Sequence, residues 1–378
     1  NSVIPNSMYV HLINDEKFLP PFIKRAQAVL DNNLYIVFGS KPPFTFLQES
    51  QQVIHSSEWL DYQFQHEIEI ERIYIHLMTY QKINWVNTAP KAPVYWLFYG
   101  NDLYELLLAF KGFKLFEILD APKGILTRIK GKTLLSRVRR WAQLKAYNRH
   151  YAPFVQSHVD YWCFWSPGDL KLLVEHYQFQ GEMLKFQYGA FNPEDIEVVQ
   201  QWVGANPDFR SEDILLNHSG SQSGNHKHLL ALLDELGINQ SIRTPLSYGD
   251  KPHIEATLEF GQKVLGTAFQ PILNYMDRNA YFELICTTGY ALFGHRRQEA
   301  GNTLFIALMS GTKVFLHPES VLLPFLEEQG YCFFTWNDLS AEALSTPLSK
   351  KERAKNYTLA CSQFSEQTIA ENYQRILS

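Results

Sequence analysis

Short apolar runs alternate with segments of helical periodicity along this chain, and the alternation stops once and then resumes. Such alternation predicts a mostly parallel sheet with helices on its faces. The predicted strands of the first half are residues 8–14, 34–38, 71–78, 94–99, 161–165 and 183–188. Those of the second half are residues 213–216, 238–244, 290–293, 313–316 and 332–335. The sequence therefore predicts an α/β protein of two Rossmann-like halves with a cleft between them.

The chain is long enough for two domains, because its 378 residues exceed the size at which one hydrophobic core usually stops growing. Segment 192–208 contains two prolines and a glycine, which predicts a linker, although residues 196–203 also have the spacing of a short helix. We predict a first domain over residues 1–200, a second over 201–355, and a C-terminal helix over 356–378 that crosses back to the first domain.

Composition argues against several classes of protein. The net charge of −5 at pH 7 argues against a dedicated nucleic-acid binder. The four cysteines have no C-x-x-C spacing, so no zinc site is predicted and a reduced cytosolic chain is expected. No apolar run reaches the ~18 residues of a membrane-spanning helix, and no signal peptide is evident at the start. Aromatic residues make up 14% of the chain, which suits a cleft that stacks bases or sugar rings.

A basic, glycine-containing loop lies between the predicted strand 290–293 and a predicted helix over 303–309. The first turn of a helix has unpaired N–H groups and a partial positive charge, and both suit a phosphate. Arg296 and Arg297 add charged donors to this loop. Because the loop has no Walker A or G-x-G-x-x-G pattern, an ordinary basic turn explains it equally well at this point.

A second candidate loop, N-H-S-G-S-Q-S-G-N-H, covers residues 217–226 after the first predicted strand of the second half. Its small residues allow a ligand to approach the backbone, and its serine hydroxyls can donate hydrogen bonds, as in a phosphate or sugar cradle. An ordinary turn between a strand and a helix has the same composition, so that alternative stays open.

Asp15, His76 and Asp102 all lie at the carboxyl ends of predicted strands. Ligands of parallel sheets bind beyond those ends, so the three side chains are expected to line one crevice. Each also has a purely structural interpretation. Asp15 fits a helix cap, His76 a buried histidine with satisfied hydrogen bonds, and Asp102 the cap of the helix that follows it.

Residues 123–149 hold nine lysines or arginines and no acidic residue, interleaved with aliphatic residues and a tryptophan. A basic amphipathic segment in an acidic protein suits an anionic membrane surface. The alternatives are a solvated basic helix face and, less favoured, an RNA-binding patch. The residues expected to meet the membrane or a membrane-bound acceptor are Lys130, Lys132, Arg137, Arg139, Arg140 and Trp141.

Several short motifs occur in the same order as in one bacterial enzyme family. A strand with Trp96 runs into G-N-D-L-Y-E-L, starting at Gly100, which resembles the family's G-A-D-L-Y-E-L. The family's S-G-D-R-S loop is similar to S-G-S-Q-S here, and its R-Q-Q-G-I-G-T to R-Q-E-A-G-N-T. Further matches are His11, Asp15, Pro245, Tyr248, Ala280, Tyr281 and the C-terminal Y-Q-R-I-L. From about His11 to Leu377, the chain resembles the 4-acetamido-4,6-dideoxygalactose (Fuc4NAc) transferases of enterobacterial common antigen synthesis.

The resemblance implies a glycosyltransferase of the GT-B fold that needs no metal or other cofactor. It implies a nucleotide-diphosphate sugar donor of the dTDP or UDP type, held mainly by the second domain. It also implies a sugar acceptor linked to polyprenyl pyrophosphate, and peripheral attachment to the cytoplasmic face of the bacterial inner membrane. The chain departs from the family at Ser221-Gln222 and at Ala300-Gly301-Asn302, so a different deoxyamino sugar or nucleotide stays open.

Glycosyl transfer calls for a base at the acceptor and for donors at the departing diphosphate. For the base, Asp102 and Asp15 are the leading candidates, followed by His76 and Glu105. The donor-binding candidates are Ser219, Gly220, Ser223, Pro245, Tyr248, Arg297, Gln298 and Thr303. A sugar epimerase or phosphorylase of the same fold, and a non-catalytic carbohydrate-binding protein, are the alternative functions.

Overall fold

Two parallel β-sheets form the framework of the protein. The computed structural model describes residues 7–48, 52–122, 133–188, 193–209 and 211–378. The strands of the first sheet are β1 (Ser7–Ile13), β2 (Asn33–Val37), β3 (Val53–His55), β4 (Glu69–His76), β5 (Val94–Leu97), β6 (Tyr161–Cys163) and β7 (Glu182–Leu184). They are ordered β3-β2-β1-β4-β5-β6-β7, with neighbours parallel.

The second sheet has six described strands in the order β10-β9-β8-β11-β12-β13, again parallel throughout. Their bounds are β8 (Ile214–Leu216), β9 (Ile242–Pro245), β10 (Phe269–Ile272), β11 (Tyr290–Phe293), β12 (Lys313–Leu316) and β13 (Phe334–Thr335). In each sheet the order reverses beside the first strand of that half, and ligands of such sheets bind at this switch point. The predicted α/β fold with two Rossmann-like domains is confirmed.

Helices cover both sheets, which explains why the central strands are almost continuous apolar runs. All residues of β2, β5, β11 and β12 are buried. The helices before the second sheet are α1 (Leu19–Gln27), α2 (Trp59–His66), α3 (Tyr80–Thr88), α4 (Asn101–Phe110), α5 (Leu134–Ser157), α6 (Pro167–Tyr177) and α7 (Pro193–Ala205). Those after it begins are α8 (His226–Glu235), α9 (Lys251–Leu265), α10 (Arg278–Cys286), α11 (Gly301–Ser310), α12 (Leu323–Gln329), α13 (Lys350–Gln363) and α14 (Glu366–Leu377).

The structure adds two strands, β3 and β10, to those predicted, and it decides between two interpretations of segment 192–208. That segment, expected to be a linker or to hold a short helix over 196–203, contains the helix α7, which packs against α10 and α11. Val199 is fully buried there, and Asp195 forms an ion pair with Arg278 of α10. The strand β10 was not predicted, because it is four residues long and contains Pro271. It is an edge strand, where a proline removes no hydrogen bond from the interior of the sheet.

The C-terminal helix α14 packs on the first sheet's side of the molecule. Tyr373 lies against Phe22 of α1, with ring centroids 5.4 Å apart. The Tyr74 hydroxyl donates to the carbonyl of Ile376 at 2.9 Å, and Arg72 donates to the carbonyl of Leu377 at 3.1 Å. These contacts join the end of the chain to α1 and β4. None of the described helices is both long and apolar enough to span a bilayer.

Candidate functional site

The crevice at the switch point of the second sheet holds two histidines on neighbouring strands. His218 follows β8 and His295 follows β11, and their ring centroids lie 5.2 Å apart. Ligands of parallel sheets bind where such strand ends diverge. This crevice is therefore the candidate ligand site of the second domain.

The imidazole of His295 is buried, and among the described residues neither of its ring nitrogens has a hydrogen-bond partner. His218 is half-buried; its Nε2 lies 3.2 Å from the Ser219 hydroxyl, and its Nδ1 has no partner among the described residues. Burial lowers the pKa of His295 to about 3, although the nearby Glu299 carboxylate opposes this effect. Burial likewise lowers the pKa of His218. Both rings are therefore neutral at pH 7, with ring nitrogens free to meet a ligand.

Glu299 is the carboxylate of this crevice. Its Oε2 accepts from the Ser223 hydroxyl at 2.5 Å and from Arg297 Nε at 2.8 Å, and its Oε1 lies 3.9 Å from His295 Nε2. Burial acts to raise the pKa of Glu299, but electrostatic interaction with the His295 ring and with the Arg297 guanidinium, which also donates a hydrogen bond, outweighs it and holds that pKa well below its usual range. Glu299 is consequently ionised, and it orients Arg297.

The helix α11 begins beside these residues. Its N-cap residue, Ala300, is in the left-handed conformation (φ 61°), and its methyl side chain makes no capping hydrogen bond. Thr303 is buried, and its hydroxyl lies 2.9 Å from the Tyr281 hydroxyl. An uncapped helix start presents N–H groups and a partial positive charge, as an anion site requires.

The start of α8, by contrast, is already occupied. Asp120, from the segment between α4 and α5, accepts hydrogen bonds from the backbone N–H groups of Lys227 (3.1 Å) and His228 (3.0 Å). Gln222 Nε2 donates to the carbonyl of Asp120 at 2.9 Å. Of the two helix starts that follow the candidate loops, that of α8 is thus capped by a carboxylate from the segment before α5.

The loop 217–226 is shaped by its own packing. A Cβ on Gly220 would lie 2.3 Å from Ile254 Cγ1, and Gly220 pairs with Gly249 in an isolated parallel bridge. Ser219 and Ser223 are buried, whereas Tyr248 is 54% exposed. Pro245 ends β9. Tyr248 is thus the donor-binding candidate that leaves an aromatic ring accessible for stacking.

The loop 294–300 also contacts the first domain. Arg297 Nη1 lies 3.5 Å from Asn101 Oδ1, and the guanidinium carbon is 5.9 Å from the ring centroid of Tyr104. The hydroxyl of Tyr104 bonds to Asp169 and to the backbone of Gln298. The motif G-N-D-L-Y-E-L therefore meets the basic loop across the boundary between the two halves.

Arg296, unlike Arg297, is ion-paired to two carboxylates outside the crevice. It forms ion pairs with Glu117 and Glu319, and Glu117 Oε1 also lies 3.0 Å from His317 Nε2. Burial acts to raise the pKa of Glu117, but hydrogen bonds from Arg296 and His317 lower it to about 2. The charge of Arg296 is thus compensated within the protein.

The candidate catalytic carboxylates of the first domain are engaged in local hydrogen bonds. Asp102 is buried and accepts from the backbone N–H of Met78 (3.1 Å), from Trp96 Nε1 (2.8 Å) and from the backbone N–H of Tyr99 (3.3 Å). Burial raises its pKa to about 6, although these donors oppose the effect. The arrangement agrees with the capping interpretation, and a catalytic role for Asp102 stays a prediction.

Asp15 binds a loop: its carboxylate accepts from the backbone N–H groups of Phe46 (2.9 Å), Leu47 (3.1 Å) and Thr45. Burial acts to raise its pKa, but these donors lower it on balance. Glu105 is ion-paired to Arg140 at 2.6 Å. The structure does not bring Asp15, Asp102 and Glu105 together at one acceptor position through any hydrogen bond that they share.

His76 belongs to a buried polar chain. Its Nε2 lies 3.0 Å from His11 Nδ1, and its Nδ1 bonds to the Tyr188 hydroxyl. His11 Nε2 lies 2.9 Å from Asn33 Oδ1. Burial is the largest cause that holds the pKa of His76 well below its ordinary value. The ring is neutral with both nitrogens satisfied, which agrees with the structural interpretation of this residue.

Of the residues expected at a membrane, Lys130 and Lys132 lie outside the described residues. Arg137, Arg139, Arg140 and Trp141 lie on the first two turns of α5. Leu134 and Leu135, on the same turns, are 66% and 80% exposed, and the first buried residue of the helix is Leu144. The start of α5 therefore presents exposed apolar and basic side chains together.

Three residues of the crevice, His218, His295 and Glu299, are not among the candidate residues named from the sequence, although His218 lies within the candidate loop 217–226. The rule that singled out Asp15 and His76, a polar residue at a strand's carboxyl end, applies equally to His218 and His295. No group of three or more His, Cys, Asp or Glu side chains suited to a metal ion occurs among the described residues.

The paired parallel-sheet domains with a crevice at the strand ends have the GT-B fold of glycosyltransferases. A glycosyltransferase from Rickettsia africae shares it, with a TM-score of 0.56 and 10% identity over 98% of each chain. A UDP-forming α,α-trehalose-phosphate synthase from Burkholderia vietnamiensis has a TM-score of 0.58 and 9% identity over 97% of this chain and 98% of its own. An Escherichia coli trehalose-6-phosphate protein bound with UDP-2-fluoro glucose has a TM-score of 0.56 and 11% identity over 98% of each chain. No protein-family model and no curated protein sequence matches the chain.

Proposed function

We propose that the protein is a glycosyltransferase that moves a deoxyhexose, such as the acetamido sugar Fuc4NAc, from a nucleotide-diphosphate donor to a polyprenyl-linked acceptor sugar. The observation that carries this proposal is the crevice of the second domain, where the start of α11, Arg297 and the rings of His218 and His295 lie together, with three ring nitrogens unpartnered among the described residues. Structures of the same fold hold UDP-2-fluoro glucose or form UDP, which favours a donor of that class.

In the reaction, the bond between the sugar's anomeric carbon and the diphosphate oxygen breaks, and the acceptor oxygen bonds to that carbon. Negative charge then grows on the diphosphate. Arg297 and the N–H groups at the start of α11 stabilise this charge because they are fixed before the reaction begins. Tyr248, with an exposed ring near His218, stacks on the nucleoside base.

The acceptor hydroxyl must lose a proton, and we assign its base to the first domain. Among the candidates, Asp102 has a pKa of about 6, which suits a general base near neutral pH. Its three hydrogen bonds mean that one donor must yield before it takes a proton. Asp15, His76 and Glu105 remain the other candidates for this role.

The lipid-linked acceptor accounts for the start of α5. A polyprenyl chain stays in the bilayer, so the enzyme must reach the membrane surface. The exposed Leu134, Leu135, Val138 and Trp141 lie among arginines, a combination that binds anionic bilayers. We therefore propose a peripheral protein on the cytoplasmic face of the inner membrane.

One assay tests the proposed reaction. The protein is incubated with dTDP- and UDP-linked deoxyamino sugars and bacterial membranes, and released nucleoside diphosphate and labelled lipid product are measured. We expect both products to form in equal amounts. A nucleotide sugar of changed configuration would instead identify an epimerase, and no release with any donor in the panel would overturn the proposal.

A matched pair of variants locates the donor site. Arg297→Ala is expected to weaken donor binding at least tenfold, because it removes a charge-assisted contact to the diphosphate. The control is Arg243→Ala, which removes an arginine that pairs with Asp213 at 2.5 Å. Equal affinities in the two variants would place the diphosphate elsewhere.

A further inference from the structure

His218 and His295, the two histidines of the second-domain crevice, lie side by side with unpartnered ring nitrogens among the described residues. Their rings are adjacent, both lack partners on at least one nitrogen among the described residues, and each is at a strand end of the switch point. Buried polar groups normally have hydrogen-bond partners, because an unsatisfied one costs free energy. Three unpartnered ring nitrogens at one crevice indicate that a ligand or a proton completes them.

The charged surroundings of this pair are nearly balanced. Glu299 and Arg297 offset one another at 2.8 Å. The other titratable groups that act on the pair are His226 and His317, both held neutral chiefly by burial, and Tyr248. Adding a diphosphate with two or more negative charges to this crevice upsets the balance, and Arg297 with the partial charge of α11 supplies little more than one positive charge.

We propose that binding of the donor's diphosphate is coupled to the uptake of one proton by the His218–His295 pair, which then supplies the missing positive charge. This inference rests on the proposed donor site. His218, which is half-buried, makes the direct contact with the phosphate oxygens. His295 lies behind it, where Glu299 Oε1, 3.9 Å from His295 Nε2, accepts an N–H from the charged ring after a small movement.

The proton comes from the solvent and returns to it when the nucleotide leaves. An imidazolium donates from both ring nitrogens, whereas the neutral ring donates from only one. Protonation therefore gives the pair one more N–H donor and, at the same time, places one positive charge beside the diphosphate. The neutral free state is favoured by burial, which lowers the pKa of both rings, and a nearby negative charge acts in the opposite direction.

Calorimetry with UDP and dTDP tests the coupling directly. Binding heats are measured at about pH 8, where a terminal phosphate with a pKa near 6 is already ionised, in buffers that differ in ionisation enthalpy. The slope of binding heat against buffer ionisation enthalpy gives the protons taken up. We expect a net proton uptake by the wild-type protein, and a dissociation constant that rises with pH above about pH 7, by at most about tenfold per pH unit.

Two histidine variants serve as test and control. His295→Gln should abolish most of the uptake and flatten the pH dependence of the dissociation constant. His253→Gln should leave both as in the wild type, because His253 pairs with His226 at 3.0 Å and does not touch Glu299. Equal uptake in the wild type and in His295→Gln would overturn the inference.

A spectroscopic measurement on the unaltered protein covers the case in which His295→Gln fails to fold. Ring ¹⁵N chemical shifts of labelled histidines distinguish neutral from charged imidazole. One of the two rings should change to the charged form when UDP or dTDP is added at about pH 8. Nucleotide binding with both rings still neutral would overturn the coupling alone. Absence of binding by either nucleotide would overturn the donor site together with the coupling.

Discussion

At the scale of single residues, buried titratable side chains determine how the free energy of unfolding responds to mutation and to pH. Lys82 is fully buried at the strand ends of the first sheet. Its ammonium nitrogen donates to Asn14 Oδ1 at 2.6 Å, to the carbonyl of Leu77 at 3.0 Å and to that of His76. Burial lowers the pKa of Lys82 to about 7, although Glu16 and Asp102 oppose this. The ammonium group holds Leu77 in its left-handed conformation (φ 59°).

Replacing this lysine is therefore expected to be costly. Lys82→Met removes a donor from one buried and two half-buried acceptors, and we expect the free energy of unfolding to fall by about 2–5 kcal/mol. Urea denaturation measures the change. The matched control, Lys91→Met, alters an exposed lysine and should change the free energy of unfolding by less than about 0.5 kcal/mol. A similar loss in both variants would contradict the role given to Lys82.

Stability is also expected to depend on pH through the buried histidines. Among the described residues, burial is the largest cause that lowers the pKa of seven histidines: His11, His76, His218, His226, His253, His295 and His317. A group whose folded pKa is depressed binds protons first in the unfolded chain. Its contribution is complete above the ordinary value of about 6.5 and is lost below it, by about 1.4 kcal/mol per pH unit for each histidine.

Buried carboxyl groups oppose this trend. Asp102 and Asp169 have their pKa raised to about 6, and Glu16 and Asp120 have theirs raised as well, in each case chiefly by burial. Protonation of each of these four groups adds stability, for Asp102 and Asp169 below about pH 6, but the histidines outnumber them. Urea unfolding between about pH 7.5 and 5 should show a falling free energy of unfolding, with a shallower fall in His253→Gln. A flat profile would contradict the expectation.

At the scale of elements, the two ends of helix α5 differ in burial. Its C-terminal half packs into the first domain through Leu144, Tyr151 and Phe154. Its first two turns carry exposed apolar residues and arginines, and Lys145 lies 5.0 Å from the ring centroid of Trp141. The same helix is therefore fixed at one end by burial and free at the other to meet a surface.

Vesicle flotation tests whether the exposed start of α5 binds a membrane. The double variant Leu134→Ser with Leu135→Ser should lower binding to phosphatidylglycerol vesicles at least tenfold, since each leucine contributes about 1.5–3 kcal/mol when buried in lipid. Added salt should weaken wild-type binding, because the arginines contribute electrostatically. The control Val174→Ser with Val198→Ser alters exposed valines of α6 and α7 and should bind as the wild type does. Equal binding by all three proteins would contradict a membrane role for α5.

Sequence patterns predicted the elements better than their contacts. The central strands are apolar runs because both of their faces are buried, and this pattern can be recognised in the sequence alone. For α7 the linker interpretation was wrong and the helical alternative over 196–203 is confirmed, because Pro193, Gly204 and Pro207 lie at the ends of the helix and not in its middle. The roles of Asp120 at α8 and of Glu117 at Arg296 were not predictable, because these partners are more than 100 residues apart and no local periodicity connects them.

At the scale of the whole molecule, the segment between α4 and α5 ties the two halves together. Glu117 and Asp120 both leave the first domain to meet charged or polar groups of the second. Asn225 strengthens this junction: its Oδ1 accepts from the backbone N–H of Glu117 at 2.8 Å, and its Nδ2 donates to the carbonyl of Leu115 at 3.3 Å. Relative motion of the halves must therefore break these contacts.

Amide hydrogen exchange measures the strength of this junction. Asp120→Ala should speed exchange at Lys227 and His228, because loss of a helix cap costs about 0.5–2 kcal/mol. Asp250→Ala removes the matching cap of α9, where Asp250 accepts from the backbone N–H of His253 at 2.9 Å. That control should speed exchange at α9 and leave α8 unchanged. Unaltered exchange at α8 in Asp120→Ala would show that the junction does not depend on this carboxylate.

The polypeptide passes between the halves at two further places, from β7 to α7 and from α13 to α14. Two bodies joined at two separate points keep one rotational degree of freedom, about the line through those points. The contacts of Glu117 and Asp120 add a third point, and three points that do not share a line leave no freedom at all. Trp165 of the first half also packs on Phe325 of the second, with ring centroids 4.8 Å apart, so the halves can turn about that line only if the polar contacts and this aromatic packing are released together.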